Sequence, residues 1–178
     1  MGIPAYMSFI LKTYPQLIQS LQHHKKQNNL FDCLFMDSNS IIYDVFNRIK
    51  PLNNSNVSEN IELTIIEEVI RKIEEYVSKI NPRQLLFIAF DGVAPFAKME
   101  QQRLRRFKNW HNSTFIIDDK EQKPLWNTSA ITPGTKFMNK LSQMIKSHFE
   151  NNLVMKQKIQ KIIVSGSDEV GEGEQKIF

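Results

Sequence analysis

Four acidic residues lie just beyond apolar runs: Asp37 after Phe31 to Met36, Asp91 after Leu85 to Phe90, and Glu172 and Glu174 a few positions after Ile159 to Val164. Apolar runs of this length read as strands, and acids at the carboxyl ends of parallel strands share one sheet edge. Gathered there, four carboxylates repel one another and raise each other's pKa unless a cation compensates. A hard divalent ion is the natural compensation, because Mg²⁺ takes oxygen ligands and keeps several waters, so a few carboxylates and a substrate phosphate suffice to hold it. Two such ions about 3.5–4 Å apart activate a water and stabilise the leaving oxygen in phosphodiester hydrolysis, and Mn²⁺ can take the same role. Gly171 and Gly173, flanking Glu172, suit a backbone that must approach phosphate or metal closely. Taken singly, Asp37 and Asp91 also fit plain turn or cap positions after a strand; a site requires all four acids to meet.

A second set of residues is basic. Lys98, Arg103, Arg105, Arg106 and Lys108 against Glu100 place a charge of +4 in eleven residues, as much as the net charge of the whole chain. At about 100° per residue, Lys98, Gln102, Arg105 and Arg106 fall near 0°, 40°, 340° and 80° of one helical turn and so share a face. Phe96, Met99, Leu104, Phe107 and Trp110 lie mostly on the other side, where they are expected to pack. Lys outnumbers Arg 17 to 6 in the chain, yet three of the six Arg fall between positions 103 and 106. Guanidinium forks bind phosphate oxygens in a bidentate way that an ammonium cannot. The competing account is a solvated charged face.

These residues need a scaffold to bring them together. The spacing predicts a helix from Pro4 to Leu11, a second short helix opening at Pro15, a strand ending at Asp37, and a helix capped by Ser38-Asn39 and running through Val45 and Phe46. Apolar positions at helical intervals from Ile61 to Ile80 predict a long amphipathic helix, stopped by Asn81-Pro82. Leu85 to Phe90 reads as a strand buried on both faces. The basic helix follows Pro95 and runs through Trp110, a short strand is expected at Phe115 to Ile117, a helix from Phe137 to Phe149, and a third strand over the run Ile159, Ile162, Ile163 and Val164 to Ser165-Gly166. Strands alternating with helices indicate an α/β fold with a parallel sheet and helices on both faces.

Composition narrows the class further. The chain has 178 residues, 41% hydrophobic and 10% aromatic, with 6 Gly and 7 Pro, which fits a globular domain and not a low-complexity tail. The longest apolar run is six residues against the roughly 20 needed to span a bilayer, so no membrane role is expected. The amino terminus lacks the basic and apolar regions of a signal peptide. The single Cys33 forms no internal disulfide and reads as strand interior, so an intracellular setting is expected, cytoplasmic in preference to nuclear. His23, His24, His111 and His148 lack metal-ligand spacing, and no Ser/His/Asp arrangement suggests a nucleophile.

Several segments, in order, resemble the hallmarks of the Xrn-type 5′→3′ exoribonucleases. They are Met1-Gly2-Ile3-Pro4, Met36-Asp37-Ser38-Asn39-Ser40-Ile41-Ile42-Tyr43, and Phe90-Asp91-Gly92-Val93-Ala94-Pro95 running into Ala97-Lys98-Met99-Glu100-Gln101-Gln102-Arg103 and Arg105-Arg106. Ile131-Thr132-Pro133-Gly134-Thr135 and Ser165-Gly166-Ser167-Asp168 to Gly171-Glu172-Gly173-Glu174-Gln175-Lys176-Ile177 complete the set. Flap-endonuclease-like proteins share the strand-end acids and the Met-Gly-Ile start but not the Gly-Val-Ala-Pro to Arg-Arg block.

The resemblance implies a PIN/flap-nuclease-like core in which Asp37, Asp91, Glu172 and Glu174 are Mg²⁺-site acids and the catalytic centre. It also implies that Lys98, Gln102, Arg105 and Arg106 hold a 5′-terminal monophosphate. The partner would be single-stranded RNA bearing that phosphate, hydrolysed processively to mononucleotides in RNA decay; protein partners are not indicated. Better-known members carry a His where this chain has Tyr43, whose ring can stack on a base for roughly 1–3 kcal/mol but cannot donate a proton as imidazole does. The family's further acids, in a later Asp-x-Asp motif, do not occur before Phe178. Residues 1–178 are therefore expected to form the amino-terminal section of such a domain, with activity of this section alone left open. A flap-type structure-specific nuclease and a catalytically dead nucleic-acid-binding module are the other two readings.

Overall fold

The computed structural model describes residues 5–17, 21, 31–49, 61–115, 126 and 128–178. It divides into two compact units, Met1–Phe31 and Asp32–Phe178. In the first, helix α1 (Tyr6–Thr13) is followed by a single 3₁₀ turn, Pro15–Leu17. The helix starts and ends two residues later than its apolar pattern suggests, and Ala5 before it adopts a left-handed conformation (φ 60°). His23, His24 and the Asn/Ser-rich stretch 52–60, which by composition reads as a soft connector, lie outside the described residues.

The second unit is built on a parallel sheet of strands β1 (Cys33–Asp37), β2 (Leu85–Ala89) and β3 (Lys161–Ser165) in that spatial order. Register pairs Asp37 with Ala89 and Ala89 with Ser165, so the three strands end level. Helices α2 (Asn39–Ile49) and α3 (Ile61–Ile80) connect β1 to β2, while α4 (Phe96–Phe115), α5 (Lys136–Glu150) and the short α6 (Leu153–Lys158) precede β3. A final short helix, α7 (Gly173–Ile177), follows β3 and packs on β1 and β2. Parallel neighbours need crossover connections, and these helices supply them.

The main core lies on one face of the sheet. Met36, Leu86, Ile88 and Val164 are buried there against α2, α3 and α5. The helix expected over Ile61–Ile80 has those bounds, and Ile65, Ile66, Val69, Ile73 and Val77 form its buried stripe. Its exposed side carries Glu75 between Lys72 (2.7 Å) and Lys79 (2.5 Å), whose hydrogen bonds lower the Glu75 pKa to about 2. Thr135 caps α5 by accepting from Met138 N at 3.3 Å, and Asn152 caps α6 by accepting from Met155 N at 3.1 Å.

Some expectations need correction. Strand β1 is buried at alternate positions only: Met36 is buried, Cys33 is exposed and Phe35 is 46% exposed, its ring 6.1 Å from that of Phe87. Cys33 is therefore not strand interior. Phe115 ends a helix and does not open a strand, and Ile117 lies outside the described residues. The apolar residues of α4 do not pack as expected, since Phe96, Leu104 and Phe107 are 77%, 60% and 59% exposed and Met99 is exposed as well. No described helix is long and apolar enough to cross a membrane.

Candidate active site

The four predicted acids reach one edge of the sheet from its three strands. Asp37 is the last residue of β1, Asp91 stands two residues past β2, and Glu172 and Glu174 bracket the first residue of α7 in the segment after β3. The ladder persists to that edge, with Ser38 N donating to Ala89 O at 2.8 Å and Phe90 N to Ser165 O at 2.9 Å. Beyond it the loops after β2 and β3 bind each other: Gly92 N donates to Gly171 O (2.8 Å) and Gly171 N to Val93 O (3.0 Å). Gly92 is required by this approach, because a Cβ there would stand 1.6 Å from the backbone oxygen of Glu169.

That pairing carries α7 onto the two aspartates. Gly173 N donates to Asp91 Oδ1 at 2.8 Å, and a Cβ on Gly173 would lie 2.4 Å from Asp37 Oδ1. The close approach expected of this glycine is thus to the Asp37 carboxylate itself. Lys176, one turn along α7, donates to Phe90 O (2.8 Å) and Gly166 O (2.7 Å), tying the helix to the ends of β2 and β3. Burial pushes the Lys176 pKa down. On the far side, Ser167 N donates to Ser142 Oγ at 3.0 Å, anchoring the loop after β3 to α5.

Asn39, at the first position of α2, connects the first two acids. Its Nδ2 donates to Asp91 Oδ2 at 2.5 Å and its Oδ1 accepts from Asp91 N at 3.2 Å. Its backbone N–H also hydrogen-bonds to Asp37.

The electrostatics follow from this crowding. Burial raises the Asp37 pKa, the Asp91 charge raises it further, the Asn39 backbone hydrogen bond opposes the rise, and Glu174 and Glu172 add to it. Asp37 therefore senses all three of the other predicted acids. Glu172 is buried, and its Oε1 lies 3.2 Å from Lys98 Nζ on α4. Among the described residues no three His, Cys, Asp or Glu side chains converge into a ready metal cage. All four acids nevertheless offer hard oxygen donors, and repulsion at Asp37 is the state a divalent cation relieves. Together they suit a cation that keeps much of its water, not one enclosed by protein.

The basic residues are placed more unevenly. Lys98 and Gln102 are half-buried on α4 one turn apart, whereas the side chains of Arg105, Arg106 and Trp110 lie outside the described residues. Lys98, a member of the expected phosphate-binding set, forms an ion pair with the Glu172 carboxylate. Tyr43 is 39% exposed on α2, one turn beyond Asn39. The sequence placed the acids at this edge but read Asn39 only as part of a helix cap and gave Lys176 no role. The only available signal was their position beside Asp37 and Glu174, which does not reveal contacts across 52 and 86 positions.

A family model described as the XRN 5′-3′ exonuclease N-terminus matches residues 1–178. Among curated relatives, the chain is 30% identical to 5′-3′ exoribonuclease 1 of Saccharomyces cerevisiae and 32% identical to that of Homo sapiens. It is 29% identical to 5′-3′ exoribonuclease 2 of Saccharomyces cerevisiae. Each alignment covers 100% of this chain but only 12%, 11% and 21% of the respective relative.

Proposed function

The chain belongs to the XRN 5′-3′ exonuclease N-terminus family, and on that premise we propose that it supplies the metal-binding acids and the 5′-end recognition of a Mg²⁺-dependent 5′→3′ exoribonuclease. The observation that carries this reading is the gathering of Asp37, Asp91, Glu172 and Glu174 at one sheet edge, where burial first, and then the charges of Asp91, Glu174 and Glu172, raise the Asp37 pKa. Those four residues would hold the metal. Bound Mg²⁺ would supply an activated water and charge neutralisation at the leaving oxygen.

The chain's own residues have distinct tasks. Asp91 is fixed by a donor on each oxygen, Gly173 N on one and Asn39 Nδ2 on the other, so its carboxylate is oriented before substrate arrives. Each oxygen keeps a second lone pair for a metal or a water. Lys98 spans the acidic edge and the basic helix, and with Gln102, Arg105 and Arg106 it would receive a terminal phosphate. Tyr43 would stack on an unpaired base, which suits a single-stranded substrate.

The test is Mg²⁺-dependent decay of 5′-monophosphate RNA against 5′-hydroxyl RNA of the same sequence, for this chain and for any longer natural form. Faster decay of the monophosphate is expected. Equal rates would remove the phosphate-pocket assignment, cleavage of a branched flap in preference would indicate a structure-specific nuclease, and salt-dependent binding without turnover would indicate a binding module.

A further inference from the structure

We propose that Asn39 is a positioning residue that holds Asp37 and Asp91 in one fixed arrangement for metal binding. The inference rests on the metal-dependent reading above. Three contacts converge on this residue: its Nδ2 donates to Asp91 Oδ2 (2.5 Å), its Oδ1 accepts from Asp91 N (3.2 Å), and its backbone N–H bonds to Asp37. Residues 37 and 91 come from different strands, so without such a bridge their carboxylates could rotate independently. Asp and Asn have the same shape, but only the amide offers both a donor and an acceptor. A carboxylate at position 39 would place an acceptor where Asp91 needs a donor and add a negative charge to a site already crowded with them.

Asn39 is well placed for this task. It occupies the first residue of α2, a helix anchored by buried Ile41, Ile42, Val45 and Phe46, so its backbone is rigid. Gly173 N holds the other oxygen of Asp91 at 2.8 Å. The Asp91 carboxylate is thereby clamped between α2 and α7, and Asn39 is the half of the clamp that also reaches Asp37.

The experiment compares Asn39→Ala and Asn39→Asp with the unmodified protein, in the longest natural form of the chain. Mn²⁺ binding is read by the paramagnetic resonance of free Mn²⁺, and cleavage is read separately as a function of Mg²⁺ concentration. Residues that orient metal ligands typically alter affinity 10–100-fold. Asn39→Ala is expected to raise the half-saturating Mn²⁺ concentration about tenfold and Asn39→Asp to raise it further, while urea denaturation of Asn39→Ala changes by a smaller factor. Unchanged Mn²⁺ affinity in both variants, with activity falling only in step with folded fraction, would overturn the inference. Unmodified protein that binds Mn²⁺ but cleaves no RNA would overturn the functional reading and leave the Asn39 inference standing. Unmodified protein that binds no Mn²⁺ would overturn both.

Discussion

Lys98 Nζ lies 3.2 Å from Glu172 Oε1, joining the basic helix α4 to the acidic end of the sheet. Glu172 is the more buried partner, so removing Lys98 strands a carboxylate with little access to water. Lys98→Met should therefore lower stability by about 1–3 kcal/mol. The double variant Lys98→Met/Glu172→Gln should regain much of that loss, as measured by urea denaturation of the four proteins in the cycle. Were Lys98 solely a phosphate ligand, the single variant would keep full stability and lose only its preference for 5′-monophosphate RNA.

Asp37 gives the site a pH signature. Its folded pKa stands above the ordinary 3.8, raised first by burial and then by Asp91, so the folded state holds the Asp37 proton more tightly than the unfolded state. Stability present at low pH is then lost as pH rises through the folded pKa. In metal-free buffer at pH 7.5, Asp37→Asn should be more stable than the parent, by no more than about 1 kcal/mol because the side chain is part exposed. The advantage should vanish below pH 3.8, where the parent carboxyl is itself protonated. Added Mg²⁺ should raise the melting temperature of the parent and leave Asp37→Asn unchanged. A variant less stable than its parent at neutral pH would contradict the repulsion argument.

The parallel sheet and the four acids were legible in the sequence because both rest on local patterns: a short apolar run, then an acid. Helix α3 was legible for the same reason, its period of apolar residues being long enough to leave one reading. Cys33 was misread because a five-residue apolar strand looks alike whether one face or both are covered; only β2, the central strand, approaches two-sided burial. On α4, periodicity says which residues share a face but not whether another element covers that face, and Phe96, Leu104 and Phe107 remain exposed. The contacts of Asn39, read only as a cap residue, and of Lys176 were missed because they join distant segments and depend on the loops of Gly92 and Gly171 closing on each other. Resemblance named the acids; geometry added what orients them.

Two glycines separate a requirement of the site from a requirement of the fold. A Cβ on Gly173 meets the carboxylate end of Asp37 at 2.4 Å, a side chain that can swing aside at the expense of its position beside the other acids. Gly173→Ala should fold with a stability loss of about 1–3 kcal/mol and lose about 100-fold in rate, since displacement of a reactive group by about 1 Å has that effect. A Cβ on Gly92 instead meets the Glu169 backbone oxygen at 1.6 Å, where nothing flexible can yield. Gly92→Ala should lose more than about 3 kcal/mol and yield little folded protein. Thermal melting together with RNA decay distinguishes the two, and equal stability losses would contradict the distinction.

The basic helix should divide its work between the end of the RNA and the strand behind it. Arg103 and Lys108 are exposed on α4 and fall at about 140° and 280° from Lys98 around the helix, off the stripe that contains Gln102. On the proposed reading they would meet phosphates along the strand and not the terminal one. Each phosphate neutralised on a single strand contributes about 0.7 to the slope of log affinity against log salt. Arg103→Gln/Lys108→Gln should flatten that slope by about 1.4 while preserving the preference for a 5′-monophosphate. Gln102→Ala should do the reverse, weakening the preference several-fold and leaving the slope alone, because a neutral amide releases no counterions. Fluorescence anisotropy of 5′-monophosphate and 5′-hydroxyl oligonucleotides, titrated between 50 and 200 mM salt as is usual for such slopes, measures both quantities at once. If both variants changed slope and preference together, the helix would be one undivided electrostatic surface and the terminal-phosphate pocket would lose its support.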